Sequence, residues 1–353
     1  VALLLLSLHA LLIQKKNTWK FKFWDYVTVI ATVGVVLFRN NGKYALLFVL
    51  CILFLALVAR KERRKLYARM FLGALLGFLI GSGGLVLLAR TTKAMQGDAR
   101  EMLSVPIQQL ARVMHNHEDE LSTQDAQLIR DFILNEAYHL YDPAISDPVK
   151  RHTNTYVARY RSKEFLTTYL NLFRHYPGEY INAFLALNAG YLWPGDQSHA
   201  TINQSVYQEA GLGYVQTRWA DGESNPRDIY KDSKWPWLRE RLETFASTNA
   251  YLDYPILKYL FVPGTYLWCY LILIGILLLR KKYSLLIPHA FVLGYYLTML
   301  FGPTVQLRYL YPLMACLPFF IVFMTCDLSK KNFGYTLQQE ESTTVNRKEI
   351  ETR

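Results

Sequence analysis

From Arg69 to Ala89 the chain reads RMFLGALLGFLIGSGGLVLLA, with no charge after its first residue. A helix needs roughly 20 mostly apolar residues to cross a bilayer, and the surrounding apolar run, 67–89, reaches that length. YALLFVLCILFLALVA (44–59), ILKYLFVPGTYLWCYLILIGILLL (256–279), LLIPHAFVLGYYLTMLF (285–301) and YLYPLMACLPFFIVFMTC (309–326) share its character. VALLLLSLHALLI (1–13) and DYVTVIATVGVVLF (25–38) are shorter, and the second reads as a short or re-entrant span. In hydrocarbon every backbone N–H and C=O must find its partner inside the protein, so runs like these become helices. The expected fold class is all-α: a polytopic α-helical membrane protein carrying an extracytoplasmic, mainly helical domain.

Charge orients that arrangement. The net formal charge of +11 would suggest an anionic partner for a soluble protein, but it is unevenly placed. Residues 91–255 hold 16 Lys+Arg against 21 Asp+Glu, so the basic excess belongs to the segments flanking apolar runs. No nucleic-acid partner is expected. RKERRK (60–65), RKK (280–282), the tail after Cys326 and QKKNTWKFK (14–22) fall on one side, which the positive-inside rule makes cytoplasmic. Residues 91–255, Arg39–Lys43 and Gly302–Arg308 then lie outside. The expected organisation is spans over 1–90, an extracytoplasmic helical domain over 91–255, three spans over 256–326 and a disordered cytoplasmic tail over 327–353, in the plasma membrane. The apolar start without Met points to the C-terminal part of a longer chain. Cys51, Cys269, Cys316 and Cys326 all lie in or at the end of apolar runs, so neither a disulfide nor a cysteine metal site is expected.

The outer segment has helical periodicity. STQDAQLIRDFILNEAYHL (122–140) opens with a Ser122/Asp125 capping box and puts Leu128, Phe132, Ile133, Ala137 and Leu140 on one face. EFLTTYLNLFRHY (164–176) and GEYINAFLALNAGYLW (178–193) follow, broken at Pro177, and Pro236 begins a last helix. YDPAISDPVK (141–150) and DGESNPRD (221–228) carry turn chemistry.

EMLSVPIQQLARV (101–113) raises a functional question. Pro106 suits a first helical turn, and Ile107, Leu110 and Met114 make an apolar stripe with Gln108, Arg112 and His115 opposite. One reading is an amphipathic anchor on the outer membrane surface. In the other, Glu101, Gln108, Gln109 and Arg112 face a polar cavity, where amides that both donate and accept suit sugar hydroxyls. Asn41-Gly42 of RNNG (39–42) fits a hairpin turn, whereas Arg39, like Arg308 at the last span, either snorkels to the head groups or holds a phosphate. HNHED (115–119) lacks metal-ligand spacing on a regular element, and no metal site is expected. Trp193, Trp219, Trp235 and Trp237 fit either sugar stacking or a core or membrane-belt role, and Asn203-Gln204-Ser205 is a formal glycosylation acceptor.

RNNGKYALLF (39–48), EMLSVPIQQLAR (101–112), YDPAISDPVK (141–150), RHYPGEYINAFLALNAGYLWP (174–194) and LRYLYP (307–312) resemble an uncharacterised family of multi-pass membrane proteins of Gram-positive bacteria. That family is similar to the GT-C glycosyltransferases, which move a sugar from a polyprenyl-phosphate carrier at the outer membrane face. The resemblance covers nearly all of 25–326. It implies a polyprenyl-phosphate-linked sugar as substrate, and membrane lipids and cell-envelope biosynthesis proteins as partners; no cofactor is assigned. It also implies a catalytic acid in a first external loop, ahead of this chain's start, leaving Glu101 as the stand-in. Arg39, Asn40, Asn41 and Arg308 would then hold the carrier phosphate, with Gln108, Gln109 and Arg112 on the sugar or acceptor. Two other classes stay open: a transporter or flippase of a lipid-linked glycan, and a non-catalytic scaffold or sensor.

Overall fold

The computed structural model describes residues 1–13, 18–93, 99–195, 234–247 and 253–324. The Asn203 acceptor, Trp219, the 221–228 linker, Cys326 and the 327–353 tail lie outside them. Among the described residues the chain is helical, with isolated bridges but no strand. Two helices are long and apolar enough to cross a membrane, Asn40–Ala59 and Lys61–Thr92, and shorter apolar helices cover Ala2–Leu12, Phe23–Phe38, Pro263–Leu279 and Tyr311–Met324.

The apolar helices form one bundle. Its first four members are α1 (Ala2–Leu12), α2 (Phe23–Phe38), α3 (Asn40–Ala59) and α4 (Arg64–Thr92). α2 is continuous, with no re-entrant turn, and runs parallel to α4 because three glycines let the backbones meet. A Cβ on Gly77 would lie 2.6 Å from Val29 O, and one on Gly81 would lie 2.8 Å from Val36 Cβ; Gly73 sits a turn earlier beside Asp25 O. Asp25 and Arg69 close this interface in a fully buried pair, with Arg69 Nε donating to Asp25 Oδ1 at 3.2 Å and Nη2 2.9 Å from Oδ2. Arg69 Nη1 also donates to Thr18 O, and the Lys22 N–H donates to Asp25 Oδ2.

RNNG is not a hairpin turn. Only Arg39 is extended, at φ −138° and ψ 106°, and Asn40–Gly42 already form the first turn of α3. Gly42 serves close approach instead: a Cβ there would lie 2.5 Å from Val35 Cγ1.

A second core belongs to the segment after α4. α5 (Ser104–His117), α6 (Thr123–Phe132), α7 (Asp147–Lys150), α8 (Thr155–Tyr160), α9 (Ser162–His175) and α10 (Pro177–Leu192) surround Ile107, Leu110, Met114, Phe132, Tyr138 and Tyr180. Ser122 caps α6 by accepting the Asp125 N–H. The 122–140 periodicity does not continue as one helix: Ile133 turns extended, and Asn135 and Glu136 take positive φ inside a 3₁₀ segment. The Ile133 backbone there pairs with Thr153, and Leu140 is exposed.

α10 joins the cores. Tyr180 is buried in the helical-domain core and Tyr191, eleven residues on, in the bundle core. α11 (Pro236–Ser247), α12 (Leu257–Leu260), α13 (Pro263–Leu279), α14 (Leu286–Met299) and α15 (Tyr311–Met324) complete the chain.

Candidate functional site

The opening of α5 follows from its sequence. Pro106 lies in the first turn, where its missing N–H costs nothing, and the Ser104 hydroxyl donates to Glu101 O. The helix is no surface anchor. It is the central helix of the domain core, buried along Ile107, Gln108, Gln109, Leu110, Ala111, Val113 and Met114. Packing from several sides puts both glutamines inside, although neighbouring residues point about 100° apart.

Their partners differ. Gln109 is engaged at both ends: Nε2 donates to Tyr180 O at 3.1 Å and Oε1 accepts the Tyr169 hydroxyl. Gln108 Nε2 donates to Asp142 O at 2.7 Å, while its Oε1 is buried with no hydrogen-bond partner in the protein. Asp142 opens a loop that docks on the segment between α14 and α15. The Ile145 backbone bridges Thr304, Ser146 N–H donates to Pro303 O at 2.8 Å, and the Thr304 hydroxyl donates to Ala144 O at 3.2 Å. The Gln306 N–H then donates to the Tyr191 hydroxyl oxygen at 3.0 Å, and Gln306 Oε1 is a second buried acceptor with no partner in the protein. Arg308 follows, its guanidinium 5.2 Å from the centre of the Tyr309 ring. The Tyr295 hydroxyl donates to Tyr309 O at 3.1 Å.

One seam therefore connects Gln108, through Asp142 and Thr304, to Gln306 and Arg308. Asp142 is exposed, and its Oδ1 accepts the Ala144 N–H at 2.8 Å, an Asx turn that fixes the carboxylate. Asn40 and Asn41 sit in the first turn of α3 beside Arg39.

The remaining expected residues are held in other contacts. Glu101 pairs with Lys150, whose Nζ is 2.9 Å from both carboxylate oxygens and 2.6 Å from Asp147. Burial works against the Lys150 charge, but Asp147 and Glu101 outweigh it and raise the group's pKa. Arg112 Nε donates to Glu179 Oε2 at 2.5 Å and Nη1 to the Tyr141 hydroxyl at 3.2 Å. Burial pushes the Glu179 carboxyl up, yet hydrogen bonds from Arg112, His117 and Asn116 bring it below the usual range. Within HNHED, His117 stands between Glu120 and Glu179, with its ring tilted against Tyr176 at 4.5 Å. Among the described residues no group of His, Cys, Asp and Glu is arranged to hold a metal ion. Trp193, Trp235 and Trp237 are exposed, not core residues.

A family profile for a family of unknown function, DUF6020, matches residues 7–348. The chain belongs to DUF6020. No curated protein and no solved structure matches it.

Sequence reasoning passed over two functional candidates in this DUF6020 chain. Asp142 lay in a segment read for its turn residues, and that Asx turn is the signal that could have drawn attention to its carboxylate. Gln306 sat two residues before Arg308 in GPTVQLR, where only the charge was weighed.

Proposed function

We propose that this chain is a multi-pass plasma-membrane protein of GT-C type. It transfers a sugar from a polyprenyl-phosphate carrier to a cell-envelope glycan on the outer face, with the helical domain extracytoplasmic and the C-terminus cytoplasmic. The contacts support a common polarity. At one end RKERRK meets the end of α1 and the segment after RKK, with Arg63 Nη2 donating to Leu12 O and Arg60 over the Tyr283 ring. Arg39, the 302–308 segment and the helical domain gather at the other end.

The observation that carries the reading is the seam. Gln108 Oε1 and Gln306 Oε1 are buried acceptors with no protein partner, and leaving such a group unmet costs about 1–3 kcal/mol. Sugar hydroxyls are donors that would satisfy them. Arg39 and Arg308 supply cationic charge for a phosphate leaving group. In the transfer, the acceptor hydroxyl oxygen bonds to the sugar C1 as the C1–O bond to phosphate breaks. The hydroxyl proton passes to a carboxylate and polyprenyl phosphate leaves with the bonding electrons. Asp142 is better placed for that proton than Glu101, whose carboxylate is committed to Lys150.

The test uses the full-length protein in nanodiscs with a polyprenyl-phosphate-linked sugar, following sugar transfer and carrier binding separately. Arg308→Ala should weaken carrier binding at least tenfold, and Asp142→Asn should lower transfer about 10²–10⁴-fold with binding retained. Wild-type transfer and binding in both variants would refute the reading.

A second reading is a flippase for a lipid-linked glycan, for which the fully buried Asp25–Arg69 pair between α2 and α4 is the supporting observation. Carrier translocation that survives in Asp142→Asn but fails in the Asp25→Leu, Arg69→Met double variant would select it.

A further inference from the structure

Away from the seam, a cleft of about 730 Å³ opens between the start of α6 and the α8–α9 junction. Gln124, Ser162, Thr167, Thr168 and Asn171 contribute neutral polar groups to its lining, and Tyr160 forms an aromatic wall. The Tyr160 ring stacks on Tyr156 at 5.6 Å and 14°, and the Arg159 guanidinium lies 5.4 Å from its centre. The charges in the lining cancel, with Arg161 and Lys163 against Asp125 and Glu164. Arg161 is already closed on Glu164 and Asp131, at 2.6 and 2.5 Å.

From this lining we infer that the cleft binds a neutral oligosaccharide, at a site separate from the proposed carrier site. Amides and hydroxyls that donate and accept suit a polyol, and an aromatic ring packs on the apolar C–H face of a sugar. The charge balance argues against an anion, since the guanidinium that would hold one already serves two carboxylates. A peptide fits less well. Helix-in-groove recognition needs an apolar groove, but no Leu, Ile, Val, Phe, Met or Trp lines the cleft. Strand addition needs a sheet edge, and the described residues have no strand.

Full-length protein in nanodiscs, titrated with maltohexaose, cellohexaose and N-acetylchitohexaose and read by saturation-transfer NMR, tests the inference. At least one hexasaccharide should bind. Tyr160→Ala should weaken it about tenfold, equivalent to ~1.4 kcal/mol, and Asn171→Ala should weaken it to a smaller extent. Both side chains are exposed, so unchanged helical circular dichroism is expected for each variant. Arg308→Ala should leave the titration unchanged, which separates this site from the carrier site. Absence of binding by all three sugars, binding that survives both cleft variants, or competition for the cleft by an uncharged peptide in place of the sugars would each overturn it.

Discussion

The bundle and the helical domain use ion pairs in opposite ways. Asp25 and Arg69 meet at zero side-chain exposure, whereas Arg112 and Glu179 keep 21% each and Arg130 and Glu118 keep more. A pair sealed from solvent has lost its hydration and depends wholly on its partner, while a half-exposed pair keeps water as an alternative. The bundle is therefore expected to fail sharply when one member of its pair is removed, and the domain to loosen by degrees.

The largest expected effect breaks the sealed pair. Asp25→Ala leaves Arg69 charged and buried, and should cost about 3–5 kcal/mol. The Asp25→Leu, Arg69→Met double variant should recover most of the loss, as read from thermal unfolding in detergent. Equal destabilisation by the single and double variants would show that side-chain packing, not charge, governs the site.

A smaller effect tests the glycine contact. Gly77→Val brings a branched side chain against Val29 O and Thr32 and should destabilise by about 1–3 kcal/mol, whereas Gly83→Ala, with open space around it, should be neutral or slightly stabilising. Thermal unfolding of the two variants side by side decides this.

The smallest effect lies in the domain and depends on pH. The Glu179 pKa is lowered from its usual 4.5, so its contribution is present above that value and lost as pH falls through the folded-state value. Hydrogen exchange of α5 peptides should accelerate below about pH 4.5, and Glu179→Gln should flatten that dependence.

The same contrast explains what was legible in the sequence. Helices with a clear start, such as α9 and α10 on either side of Pro177, follow from local pattern, as does the Ser122 cap. The Asp25–Arg69 pair was hidden because each residue opens an apolar run and looks like a boundary charge, and the two are 44 positions apart. RNNG has hairpin composition, yet Asn40–Gly42 form the first turn of α3, with Gly42 closely packed on Val35. At the candidate site, Arg39 and Arg308 were marked by charge alone. The link from Gln108 to the 302–308 segment crosses more than 150 residues, as Ser146 to Pro303 does, and no local pattern encodes such a contact. Gln109 looked like a ligand-facing twin of Gln108 and instead ties α5 to α9 and α10.

α10 carries a consequence of its own. Between Tyr180 and Tyr191 the helix rises about 16 Å without a break, at 1.5 Å per residue, and each end is clamped in a different core. Glu179, bonded to Arg112, and Tyr191, bonded to the Gln306 backbone, therefore stand on one rigid element, with no flexible joint between them.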